Sequence, residues 1–85
     1  MKYRVWTLDV LGNVDDGWEV NDRSNVGDIE VNETDGLKDV WERLVAEGFA
    51  NGSFEESDPT WDDESYITFD EAATGRPVFA LTKED

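Results

Sequence analysis

An α+β domain is the fold this sequence predicts: an antiparallel sheet of about five strands, in the order β-β-β-α-β-β, with one helix on a face. Three observations carry that prediction. A single segment, Thr34 to Phe49 (TDGLKDVWERLVAEGF), has a helical period, with Leu37, Val40, Trp41, Leu44 and Val45 at i, i+3, i+4, i+7 and i+8 on one stripe. The segments before and after it alternate with the period of a strand. A helix so short is marginal alone in water, so its apolar stripe needs a covering surface, and the only surface on offer is a sheet.

The first strand spans Lys2 to Leu11 (KYRVWTLDVL), rich in β-branched and aromatic residues. Trp6, Leu8 and Val10 fall on one face and Tyr3, Val5 and Leu11 on the other, as expected of a central strand. Residues 12–17 (GNVDDG) read as a turn. Trp18 to Asp22 then forms a second strand antiparallel to the first, Arg23 to Gly27 a second turn, and Asp28 to Asn32 a third strand. In the helix, Thr34 or Asp35 is placed to cap the first turn. Gly48 is placed to end it, with Phe49 folding back on Leu44 in a Schellman motif. Residues 50–64 (ANGSFEESDPTWDDE) lack a period and read as a long loop tacked to the core by Phe54 and Trp61. Tyr66–Phe69 and Pro77–Leu81 are two more strands around the turn at 70–76, with Pro77 confined to a strand start or an edge. The expected core is Leu37, Trp41, Leu44 and Trp6. Eighty-five residues support one domain, 1–85, and no second core.

Charge is the dominant compositional fact. Twenty-two Asp and Glu stand against seven Lys and Arg, for a formal net charge of −15. Such a balance excludes direct binding to nucleic acid or an anionic membrane and favours a basic partner, a cation or high salt. Self-repulsion predicts a stability that rises with added salt and again as pH falls from 7 toward 5. Cysteine and histidine are both absent, removing thiolate metal sites, disulfides and the usual neutral-pH acid–base group. With no signal peptide and no long apolar run, the expected setting is a soluble monomer in the cytoplasm.

Catalytic patterns are missing: no Ser–His or Cys–His pair, no phosphate-cradling glycine motif, no HExxH. Carboxylate pairs suited to glycoside hydrolysis arise by chance at this acid density. The protein therefore reads as non-enzymatic, with no cofactor. The run Asn13, Asp15, Asp16, Gly17, Glu19 superficially resembles a calcium loop, but its glycine arrives one residue early and a strand follows. It reads as a hairpin turn with solvated acids, and no metal site is expected. Tyr3, Trp18, Phe54 and Trp61 would need surrounding bases to stack nucleotides, so they are assigned to core or loop-anchoring duty.

What remains is the acidic surface. Between Arg43 and Arg76 lie nine acids and no base. Turns and loops project furthest, which selects Asp15, Asp16, Glu55, Glu56, Asp62, Asp63 and Glu64 as binding residues. Two segments, DVLGN at 9–13 with DGWEVND at 16–22, and DEAATGRP at 70–77, resemble segments of small acidic uncharacterised proteins encoded by bacteriophages. The resemblance covers about a quarter of the chain and carries no active-site residue. It implies an accessory protein working in the host cytoplasm, and among such proteins mimicry of DNA is a recurrent device. The leading expectation is an inhibitor that presents carboxylates in place of phosphates to a basic, nucleic-acid-binding host protein. The alternative is a structural or accessory interaction domain whose acids only maintain solubility or suit high salt. Mimicry requires the acids on one continuous face, whereas a solubility coat spreads them evenly.

Overall fold

The computed structural model describes residues 1–63 and 65–84, with the backbone alone at 61–63. Its elements are β1 (Lys2–Asn13), β2 (Gly17–Glu30), α1 (Leu37–Ala46), a single 3-10 turn (Phe54–Glu56), β3 (Ser57–Asp63), β4 (Tyr66–Glu71) and β5 (Pro77–Lys83). All five strands form one antiparallel sheet in the order β2-β1-β5-β4-β3. The class is α+β as expected, but the order is β-β-α-β-β-β, and two corrections account for the change.

The first concerns Arg23 to Gly27, expected as a turn between two strands. It is strand throughout, because β2 pairs with β1 along its whole length. Its awkward residues are absorbed by two register shifts, between Val5 and Trp6 and between Asp9 and Val10. Bulges of this kind leave one residue unpaired without ending the ladder. The second concerns 50–64, expected as a loop. Within it, Ser57 to Asp63 forms β3 at the sheet edge. An edge strand tolerates Pro59, whose missing N–H costs no ladder bond when it faces outward. Pro77 opens β5, the middle strand, at its first residue.

The helix begins later than expected. Gly36 is the N-cap, and the Asp39 carboxylate accepts its N–H at 2.9 Å. Asp35 is already engaged, accepting the Asn32 N–H at 3.0 Å, and Thr34 is exposed. The other end follows the expected motif: the Gly48 N–H donates to Val45 O at 3.0 Å and the Phe49 N–H to Leu44 O at 2.9 Å. Gly48 sits at φ +83, and Phe49 packs against the core.

The helix buries Val40, Trp41 and Leu44, packed with Tyr3 and Val5 of β1, Ile29 of β2, Ile67 and Phe69 of β4, and Phe79 and Leu81 of β5. Trp41 holds the centre, its ring 5.3 Å from Phe69 and 6.2 Å from Phe79 between centroids, with Nε1–H donating to Gly52 O at 3.2 Å. Leu37 is half-buried at the cluster's margin, and Val45 turns outward at 39% exposure, so the stripe is narrower than the spacing implied. Trp6 is not core. It stands on the sheet face away from the cluster, half-buried, beneath the Arg23 guanidinium at 4.2 Å, and donates Nε1–H to Thr82 Oγ1. Leu11 is exposed, since β5 pairs with β1 only over Tyr3 to Thr7. Phe54 packs on the core as expected; the Trp61 side chain lies outside the described residues.

Candidate functional site

Strand direction sorts the charges between the two ends of the sheet. β1 climbs from Lys2 to a tip at 14–16, and β2 descends from it. The antiparallel pairings then put the start of β3, the end of β4 and the start of β5 at that same tip end. At the opposite end, the β1–β2 ladder sets opposite charges across from one another, Lys2 facing Glu30 and Arg4 facing Asp28. The amino group of Met1 contacts Glu30 at 3.3 Å, and Arg4 Nε donates to Glu84 at 2.8 Å. These are the two ion pairs among the described residues. Beyond Arg23, which faces Leu8, the ladder's charges are acids alone: Asp9 faces Asp22 and Leu11 faces Glu19; Arg76 is the base of the β4–β5 turn.

The tip itself is built on Asn13. Its Oδ1 accepts the N–H groups of Asp15 and Asp16 at 3.0 and 2.8 Å, and its Nδ2 donates to Asp16 Oδ2 at 3.1 Å. This Asx-type turn leaves the Asp15 carboxylate in solvent. Trp18 ties the hairpin to the β4–β5 turn by donating Nε1–H to Thr74 O at 2.9 Å, the anchoring duty foreseen for it. That turn is closed by Glu71, whose carboxylate accepts the Thr74 hydroxyl at 2.9 Å. The Ala72 N–H reaches Glu56 O at 3.0 Å and brings the 3-10 turn alongside.

The seven predicted binding residues therefore divide. Asp15, Asp16, Glu55 and Glu56 are exposed at the tip end. Asp62 and Asp63 lie at the far end of β3, where Asp63 pairs with Tyr66, and their side chains are outside the described residues. Glu64 lies outside the described residues altogether. Residues 55–63 do not project as one loop, because Ser57–Asp63 is strand β3, paired along β4. In place of the missing members, strand pairing brings in Asp58 and Asp70, directly opposed, with Glu71 next along. Partial burial, then the facing Asp58, pushes the Asp70 carboxyl above the usual carboxylate range.

Between the helix and this end of the sheet opens a cleft of about 590 Å³. Trp41, Phe49, Phe69, Val78 and Phe79 supply its apolar lining, and Glu55, Glu56, Asp70 and Glu71 lie along its edge. Of these, the sequence places Trp41 in the core, Phe49 against Leu44, and Phe69, Val78 and Phe79 in strands, and it does not reveal the cleft. Among the described residues no three acidic side chains converge as a metal site requires, and no helix is long and apolar enough to cross a membrane. No protein-family model, no curated protein and no solved structure matches this chain.

Proposed function

We propose that this is a non-enzymatic, acidic protein-binding module whose tip end engages a basic, nucleic-acid-binding protein in place of DNA. One observation carries the reading: the charge is segregated along an elongated body. The molecule extends 37 × 25 × 24 Å and carries a net −15. Along its length that is about one net charge per 2.5 Å, against ~1.7 Å per phosphate charge for duplex DNA. Three of the seven bases, Lys2, Arg4 and Lys83, lie at one end beside Asp28, Glu30 and Glu84, whereas Asp15, Asp16, Glu19, Glu55, Glu56, Asp58, Asp70 and Glu71 lie toward the other with Arg76, so the acid excess is larger there. The resemblance of 9–13 with 16–22, and of 70–77, to small acidic phage proteins supports a host cell as the setting.

The test is capture of partners from bacterial lysate, followed by competition with duplex DNA. A DNA-like ligand is displaced by duplex DNA and loses affinity steeply as salt rises. A partner that binds this protein and DNA together would refute the reading. Capture of nothing across a salt series would favour the alternative, an accessory domain with a solubility coat.

A further inference from the structure

From the cleft beside the tip we infer that the partner is gripped by an apolar side chain as well as by charge: the occupant is an extended basic segment of a partner protein, with one or two large apolar residues between flanking Lys or Arg. This rests on the reading above that the partner is basic, and it names what the acidic end recognises. The cleft's volume of about 590 Å³ lies in the range of specific ligand pockets, roughly 300–1,000 Å³. Its accessible apolar surface comes from the half-buried Phe49 and Val78, backed by the buried rings of Trp41, Phe69 and Phe79, which the core holds rigid. A pre-formed apolar surface accepts a side chain with little reorganisation.

Charge complementarity fixes the class of occupant. Glu55, Glu56, Asp70 and Glu71 edge the cleft, and no Lys or Arg is among its lining residues. An acidic or neutral apolar segment would leave those carboxylates crowded and partly desolvated, whereas a segment flanked by Lys and Arg places opposite charge beside them. A second copy of this chain is disfavoured on the same ground, since each copy carries −15. Pure phosphate mimicry has no use for an apolar lining. The apolar anchor adds an attachment that salt does not screen, so binding keeps a component that survives where the electrostatic part fades.

Two peptides, RKKLFKKR and RKKAAKKR, separate the anchor from the charge, with affinities read by calorimetry at about 0.05 and 0.5 M NaCl. The proposal expects the first to bind about tenfold or more tighter, with the ratio kept at high salt while both affinities fall. Ala73→Trp, at an exposed position lining the cleft, should erase the preference and leave RKKAAKKR binding unchanged. Asn51→Trp, exposed and also lining it, repeats the block independently. Equal binding of the two peptides overturns the cleft and leaves the basic-partner reading standing. Failure of both peptides at low salt removes that reading and the cleft together. A sedimentation shift from dimer to monomer in Ala73→Trp would assign the cleft to a second copy and overturn the proposal.

Discussion

Replacing Trp41 by alanine tests whether one residue organises both the core and the cleft. The side chain is 6% exposed, touches the Phe69 and Phe79 rings, and holds Gly52 O through its indole N–H. Large-to-small changes of a buried aromatic cost about 3–5 kcal/mol, a figure that already contains the lost ring contacts. Gly52 is exposed, so water can replace the indole donor and the lost hydrogen bond adds little to that figure. Trp41→Phe keeps a ring between Phe69 and Phe79 and loses the hydrogen bond with part of the volume, for about 1–2 kcal/mol. A domain of this length has a total stability of about 4–13 kcal/mol, so the alanine variant should lose a large share of it and the phenylalanine variant a small one. Urea unfolding followed by far-ultraviolet circular dichroism gives both values on one scale. A loss below about 1 kcal/mol for Trp41→Ala would refute the reasoning, because no buried aromatic at a packed three-ring junction is so cheaply removed.

Three further outcomes follow from the same structure. Asp70 has its carboxyl raised, so the folded state holds that proton more tightly than the unfolded chain. The associated stability is complete below the unfolded value near ~3.9 and is lost as pH rises through the folded value. Asp70→Asn should thus be more stable than the parent at pH 7, with the difference closing as pH falls toward ~4; a pH-independent gap in urea midpoints would contradict this. Gly27 sits at φ +152 on the β2 bulge, and an added Cβ would lie 2.7 Å from Phe49 Cζ, whereas at Gly48, φ +83, it would meet nothing. Gly27→Ala should therefore cost about 1–3 kcal/mol and exceed Gly48→Ala, which carries backbone strain alone, as paired thermal melts would show. Trp18→Phe removes the bond to Thr74 O and should speed amide exchange at the 14–16 tip while leaving α1 protected; equal protection in both variants would mean the hairpin is held by its ladder alone.

Local signals made the helix legible, and non-local pairing hid the rest. Leu37 to Phe49 carries its own period, stop glycine and fold-back hydrophobe, each readable without knowing what lies opposite. The capping residue was misplaced because Thr34 and Asp35 look equally suitable until Asp35 is seen serving Asn32. Arg23 to Gly27 and Ser57 to Asp63 carry turn-forming residues and become strands only because a neighbour pairs with them, with bulges absorbing Asn21 and Val26 and an edge position accepting Pro59. The acidic site followed the same rule. Asp15, Asp16, Glu55 and Glu56 were legible as projecting acids, whereas Asp58 facing Asp70 depends on a register that no single segment reveals. The cleft was invisible for a related reason: an aromatic that lines a cleft and one that fills a core have the same local sequence.

The central claim, that place and not amount of charge matters, is tested by two triple variants of equal charge. Asp15→Asn/Glu55→Gln/Glu56→Gln neutralises the tip, and Asp28→Asn/Glu33→Gln/Glu42→Gln neutralises exposed acids elsewhere; each removes three charges from −15 and leaves −12. Affinity for RKKLFKKR is then measured against the parent at about 0.15 M NaCl. Binding through the tip predicts a loss of about tenfold or more in the first triple and little change in the second. Equal losses in both would mean that the acids act as a uniform coat, and would contradict the account.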